Sequence, residues 1–306
     1  MSILVVGSVA LDTVLTPLEE KIDLLGGSAT YFAAAASYFA PVRIVGAVGE
    51  DFQMNQLEFL KERSVDLGGL QIRSGRTFRW TGRYGDDPND RETIDLQYGV
   101  FAGFSPLLPD DYGASEYIFL ANINPELQLR VLQQITAPKL IMADTIDHWI
   151  ERRRGVLLEV LKGVHAVTLN DTEAKKLAGE DNLIRASKAI LKMGPEIVII
   201  KKGEHGALMV TGDSLFALPA CPVENVCDPT GAGDSFAGGF MGYLHRTGDL
   251  TEESLRKAVA CGTVMASFVV ERFSVDGIRS LSQEDIERRL REFKGITWFE
   301  EVDPWG

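Results

Sequence analysis

The sequence predicts an α/β fold: a mostly parallel central sheet flanked by helices, with a small β-sheet lid. Three observations predict it. Short uninterrupted apolar runs recur along the 306 residues with helical stretches between them, which is the βαβ signature. One middle segment alternates with period two instead, as a two-sided antiparallel strand does. The last third reads as long helices preceded by a hairpin.

The elements follow in order. Residues 3–9 form an apolar run of the kind buried in a parallel sheet. Gly26-Gly27 opens an Ala-rich helix over about residues 30–39, and a second buried strand covers 42–48. A helix is expected over 54–63. In the segment 68–103, Phe78, Trp80 and Tyr84 share one strand face, while Thr77, Arg79, Thr81 and Arg83 share the other. Residues 86–90 read as a turn and 93–98 as a second strand. Together with residues 12–25, this segment is the expected lid, set into a single domain spanning 1–306. Strands are then expected at 117–120, 140–143, 166–170 and 197–201, and a hairpin at 207–218. Helices follow at 233–246, 255–270 and 283–293.

Composition excludes several classes. Net charge is −13, so the chain repels nucleic acid and anionic membranes, and a polyanionic partner is not expected. No apolar run reaches the ~18 residues of a membrane span. The first residues run straight into a strand pattern without a basic stretch, so a cytoplasmic enzyme is expected. The cysteines, Cys221, Cys227 and Cys261, are odd in number and form no C-x-x-C, which argues against a disulfide framework. The four histidines are scattered and suggest no metal cluster.

The most informative stretch is Asp228-Pro229-Thr230-Gly231-Ala232-Gly233-Asp234-Ser235-Phe236, between an extended segment and a helix. Free N–H groups at a helix start bind phosphate oxygens, and the glycines let the backbone come close. Asp234 falls in the first helical turn beside that pocket. The stretch is not a Walker A loop, because no Gly-Lys-Ser/Thr ends it. Nor is it a dinucleotide fingerprint, because Phe236 stands where the third glycine belongs, which argues against a nicotinamide oxidoreductase. A plain glycine turn with an acidic first-turn residue would account for Gly-Ala-Gly-Asp alone.

The longer string resembles the ATP-side signature of the ribokinase-like (PfkB) kinases of carbohydrates and nucleosides. Three more elements resemble that family in order: Gly26-Gly27 opening a small-residue helix, Asn170-Asp171-Thr172-Glu173 at a strand end, and the strand-plus-glycine element from Ile199 to Gly206. The resemblance implies a ribokinase-like fold and ATP-dependent transfer of phosphate to a hydroxyl of a small sugar or nucleoside. It implies that Asp234 is the general base and that the backbone of Gly231, Ala232 and Gly233 is the anion hole. Lys201, Gly203 and Gly206 would line the nucleotide. Asn170 and Glu173 would serve Mg2+ through water, although Asn followed by Glu three residues on is also a capping box. Asp228 and Thr230 would border a monovalent cation such as K+. Asp12, Gly26 and Gly27 would hold the acceptor. Tyr31 departs from the asparagine of many sugar-kinase relatives, and a phenol cannot copy an amide's paired donor and acceptor. Which face of the lid strand looks inward decides between an aromatic platform for a nucleoside and an Arg79 contact for a polar sugar. In the second case the aromatics would bury at a lid-to-lid homodimer contact. A catalytically silent sensing protein on the same fold is the alternative, and retention of the whole Gly-Ala-Gly-Asp argues against it.

Overall fold

The computed structural model describes residues 2–17, 19–85, 87–89, 91–300 and 302–303. Asp86 and Asp90, the ends of the expected turn, lie outside the described residues.

The strands are β1 (Ile3–Val6), β2 (Ala10–Leu15), β3 (Glu20–Gly26), β4 (Val42–Gly49), β5 (Val65–Arg73), β6 (Phe78–Tyr84), β7 (Arg91–Gln97), β8 (Tyr117–Leu120), β9 (Leu140–Asp144), β10 (Ala166–Asn170), β11 (Ile197–Lys201), β12 (Ala207–Thr211) and β13 (Leu215–Leu218). The α-helices are α1 (Ser28–Ala36), α2 (Glu58–Glu62), α3 (Pro125–Leu132), α4 (Asp147–Arg152), α5 (Arg154–Lys162), α6 (Asp171–Ala178), α7 (Leu183–Leu191), α8 (Ala232–Thr247), α9 (Glu252–Val269) and α10 (Gln283–Thr297).

Nine strands form one sheet in the order β13-β12-β11-β10-β9-β8-β1-β4-β5. From β5 to β11 the pairings are parallel, and β12 and β13 add an antiparallel hairpin. β1 lies mid-sheet, with Ile3 level with both Val42 and Tyr117. Its four residues are wholly buried because both faces are covered. Ile3 and Val5 pack on one side with α1, α8 and α9. Leu4 and Val6 pack on the other, with α3, α5, α6 and α7. On the first side α1 and α8 cross on a seam of small residues. A Cβ added at Gly238 would lie 2.4 Å from the Phe32 carbonyl oxygen and 2.9 Å from Ala35 Cβ, so only glycine permits that approach.

The second sheet has the order β3-β2-β6-β7, with β2 and β6 parallel and the outer pairs antiparallel. It is drawn from residues 10–26 and 78–97, narrower than the expected 68–103. Residues 65–73 instead pair with β4 as the edge of the large sheet, from Val65↔Val42 to Gly49↔Arg73. Their Gly68-Gly69 pair looks like a turn in sequence, and edge strands carry a weaker apolar signal than central ones. The run expected over 3–9 ends at Val6, because the chain bends there and enters the lid as β2. The helix expected over 54–63 divides into a 3-10 turn, Met54–Leu57, and α2.

The lid register sorts its faces. Asp12 is level with Trp80, and Val14 with Gly82. Level neighbours share a face, so Trp80 and Tyr84 lie on the side of Asp12. Arg79 lies on the other side, where its guanidinium meets Asp23 and also Asp51 at 3.1 Å.

Candidate active site

The site lies along the carboxyl ends of the parallel strands, where open α/β sheets bind ligands. Its first wall is the bend after β1. Ser8 and Ser28 clip that bend to the start of α1, since the Ser28 N–H donates to Ser8 Oγ at 3.0 Å and the Ser8 N–H to Ser28 Oγ at 3.3 Å. Gly27 is the N-cap of α1, and its N–H donates to the buried carboxyl of Asp12. Burial and the nearby charge of Asp228 push the Asp12 carboxyl from its ordinary 3.8 up to about 8, against the pull of the Gly27 bond. Gly26 leaves the space that Asp12 fills, for a Cβ there would lie 1.9 Å from Asp12 Oδ2.

Tyr31 stands one turn into α1 and is 2% exposed. Its ring lies flat against Gly231, and a Cβ there would fall 2.3 Å from the ring. Burial first, then the charges of Asp228 and Asp12, hold its phenol well above the usual tyrosine range. Tyr31 is therefore a wall between the α1 start and the glycine-rich loop.

That loop is braced by Asp228, whose two carboxylate oxygens accept from the N–H groups of Thr230 at 2.9 Å and Ser274 at 3.1 Å. Gly231 turns into α8 with φ 77°, and no side chain caps the helix. The Ala232 N–H reaches Pro229 O at 3.2 Å. Gly233 and Asp234 follow in the first turn, where no intrahelical carbonyl serves the N–H groups. Beneath Gly233 lies Lys201 Nζ, 2.8 Å from where a Cβ would stand.

Lys201, at the end of β11, pairs with Asp144 at 3.3 Å. The other Asp144 oxygen accepts from the Thr145 N–H at 2.8 Å. The buried Gln128 amide donates to the carbonyls of Ala121 and Asp144, each at 3.0 Å, which ties the ends of β8 and β9 together. Asp144 is absent from the sequence-based candidates. Its one signal was an acid closing an apolar strand at the ligand edge. The half-buried Asp234 carboxyl is raised, first by burial, then by the charge of Asp144, while Lys201 and Arg91 oppose the rise.

Asn170 and Glu173 form the full capping box at the start of α6, each N–H donating to the other's side chain at 2.7 Å. Glu173 is buried, and burial with the Asp144 charge raises its carboxyl. Gly203 and Gly206 flank a 3-10 turn after β11, both with positive φ. The lid reaches this half of the molecule. Tyr84 Oη lies 2.9 Å from Thr230 Oγ1, and Asn89 Oδ1 lies 2.0 Å from the place of a Gly203 Cβ.

Asp12, Gly26, Gly27, Tyr31, Lys201, Glu173, Asp228, Thr230 and the Gly231–Asp234 turn thus border one region. Arg79 is not brought there, being held on the outer lid face by Asp23 and Asp51. Among the described residues, no group of three His, Cys, Asp or Glu is placed to hold a metal ion, and no helix is long and apolar enough to cross a membrane. His165 is structural, its Nδ1 accepting from the Ile141 N–H at 2.9 Å. The three cysteines are free thiols.

Residues 23–279 match the model of the pfkB family carbohydrate kinases. A cytidine kinase of Thermococcus kodakarensis is 30% identical over 257 residues, covering 82% of this chain and 91% of that protein. A nucleoside kinase of Burkholderia thailandensis, solved in complex with inosine, superposes with TM-score 0.77 at 18% identity, over 97% of this chain and 98% of that one. A ribokinase of Cryptococcus neoformans, solved with ADP, gives TM-score 0.76 at 22% identity, over 94% and 99%.

Proposed function

This chain belongs to the pfkB family of carbohydrate kinases and is an ATP-dependent phosphotransferase, and from that premise we propose that its acceptor is a nucleoside, with Asp234 as the general base. The observation that carries the nucleoside reading is the lid register, which sets Trp80 level with Asp12. The indole lies over Gly82, where a Cβ would fall 2.0 Å from the ring, and its Nε1 donates to Thr93 Oγ1 at 3.2 Å. It therefore lies flat on the sheet, and a planar base would take the outer face, over which the Arg91 guanidinium stands 5.9 Å from the ring centroid when no ligand is bound. Phe78 does not compete for that role, since it packs edge-on against Phe101 at the foot of the lid. A polar sugar would have favoured Arg79 on the inner face, and Arg79 is elsewhere. The cytidine kinase relative supports the same acceptor class.

In the reaction, the ribose hydroxyl lies between Asp12, Gly27 and Asp234. Its oxygen attacks the γ-phosphorus of ATP and forms the new P–O bond. The bond to the β–γ bridging oxygen breaks, and its electron pair leaves with ADP. The proton passes to the Asp234 carboxylate, whose raised pKa suits a base working near neutrality. The backbone of Gly231, Ala232 and Gly233 receives the γ-phosphate, while Lys201 adds charge from beneath. Gly203 and Gly206 leave room for the nucleotide. Asn170 and Glu173 would hold Mg2+ through water. Glu173 fits this, being a buried carboxyl raised first by its burial and then by the charge of Asp144, against the pull of Lys201, so a nearby cation would favour its ionised form. Mg2+, when bound, neutralises phosphate charge. A monovalent cation fits less well, because both Asp228 oxygens already accept backbone N–H groups. No step depends on one.

The test is an ADP-release screen of pentoses, hexoses, inositols and nucleosides with ATP and Mg2+, followed by Trp80→Ala on the best acceptor. Base stacking worth ~1–3 kcal/mol raises that KM roughly 5–150-fold. A sugar used with higher kcat/KM than every nucleoside would sink the acceptor assignment. If Trp80→Ala instead turns a dimer into monomers in sedimentation and keeps its KM, the lid face belongs to a second copy.

A further inference from the structure

We propose that Arg91 is a further catalytic residue, a guanidinium that the lid carries onto the transferring phosphoryl group; this rests on the kinase reading above. Two contacts fix where the lid hairpin lies. Tyr84 Oη is 2.9 Å from Thr230 Oγ1, on the loop that opens α8. Asn89 Oδ1 is 2.0 Å from the place of a Gly203 Cβ, on the turn after β11. Those are the loops assigned to the γ-phosphate and to the nucleotide. Arg91 follows Asn89 by two residues and is level with Tyr84 across the ladder. Level neighbours share a face of the sheet, so Arg91 leaves the lid on the Tyr84 side, above the gap between the two loops. Its guanidinium stands 5.9 Å over the Trp80 ring. On the opposite lid face, Arg83 is occupied by Glu92 at 3.2 Å, whereas among the described residues no carboxylate pairs with Arg91.

Charge points the same way. The site gathers the carboxyls of Asp12, Asp144, Glu173, Asp228 and Asp234, and Lys201 lies behind the Gly233 turn. A phosphoryl group in flight spreads negative charge over its equatorial oxygens and needs cations in front as well as behind. Arg91 supplies one from the front. Its field already reaches Asp234, where it opposes the rise of that carboxyl. The guanidinium fork can meet two phosphoryl oxygens at once. Since it rides on the lid, the charge arrives only when the lid covers both substrates. Water on an open site then meets an uncompensated phosphate, so ATP hydrolysis stays slow. Arg91 exchanges no atoms in the step; the bonds made and broken are those of the transfer already described.

The test compares Arg91→Ala and Arg91→Lys with the wild-type chain, on the best acceptor of the screen, with nucleotide affinity measured by calorimetry. Removing one such donor is expected to lower kcat about 10²- to 10³-fold. Nucleotide affinity and melting temperature should hold, because the residue is exposed on the lid. Added guanidinium, far below denaturing concentration, should restore part of the Arg91→Ala rate but none of the Arg91→Lys deficit. Unchanged kcat would overturn the proposal. So would a loss confined to nucleotide affinity, or a fall in kcat that guanidinium leaves untouched. A wild-type chain that transfers phosphate to none of the acceptors would instead refute the kinase reading beneath it.

Discussion

Gly231→Ala tests the site through one methyl group. Residue 231 has φ 77°, the left-handed region, where an L-residue costs roughly 1–2 kcal/mol. The new Cβ would also stand 2.3 Å from the Tyr31 ring, which is buried and cannot swing away. Overpacking of that kind costs about 1–3 kcal/mol. The sum, about 2–5 kcal/mol, is a large part of the ~5–15 kcal/mol that holds a domain folded. For a chain of this size it corresponds to a drop of about 3–8 °C in Tm. Calorimetry of Gly231→Ala, Tyr31→Ala and the double variant separates the two causes. The double variant should be more stable than additivity allows by about 1–3 kcal/mol, because Tyr31→Ala removes the clash but not the backbone strain. ATP affinity should fall in both Gly231 variants, since the helix start that receives phosphate has moved. A Gly231→Ala protein that melts with the wild type, or strictly additive variants, would refute the packing of Tyr31 on this turn.

Asp234→Asn keeps the shape and removes the base, so kcat should fall ~10²–10⁴-fold with nucleotide affinity nearly unchanged; near wild-type turnover would end the assignment. Stability should depend on pH in a stated direction. The folded Asp12 carboxyl keeps its proton up to about 8, whereas the unfolded chain releases it near 3.8. The folded state therefore binds more protons between those values, and stability falls as pH rises from about 4 to about 8. Tm of the ligand-free protein should drop across that window, and Asp12→Asn should flatten the slope; an unchanged slope in the variant would contradict the burial of this carboxyl.

The parallel strands were legible because burial on both faces writes them as unbroken apolar runs, as in Ile3-Leu4-Val5-Val6 or Ile197-Val198-Ile199-Ile200. The glycine turn into α8 was legible because Asp228 to Asp234 is local in sequence. What escaped is assembled across distance. Asp144 reads as the last residue of a strand until β11 brings Lys201 beside it. Arg91 and Asn89 read as a polar hairpin until the lid is laid over Thr230 and Gly203. Arg79 and Trp80 are adjacent residues with opposite fates, and alternation alone could not say which face looked inward. The register with β2 decides it, because Asp12 marks the inner side. The extent of the lid was misjudged at β5 for the converse reason: its residues were assigned to the lid with the segment that follows, and pairing with β4 places them at the edge of the large sheet.

The glycine seam between α1 and α8 has a consequence for how such a chain can diverge. The helix that starts at Gly27 and the helix that starts at the Gly231 turn, proposed above to face acceptor and phosphate, are held at backbone contact where Gly238 meets Phe32. On that proposal the gap between donor and acceptor is built into the interior, while the choice of acceptor is written on the lid and on one residue, Tyr31. Drift in lid side chains changes what is phosphorylated and leaves the reach of the chemistry alone. A larger residue in the seam does the reverse: both ligands still bind, but too far apart to react. Specificity and reactivity in this architecture are therefore separately inheritable, and a graft of one lid onto another core should carry the acceptor with it.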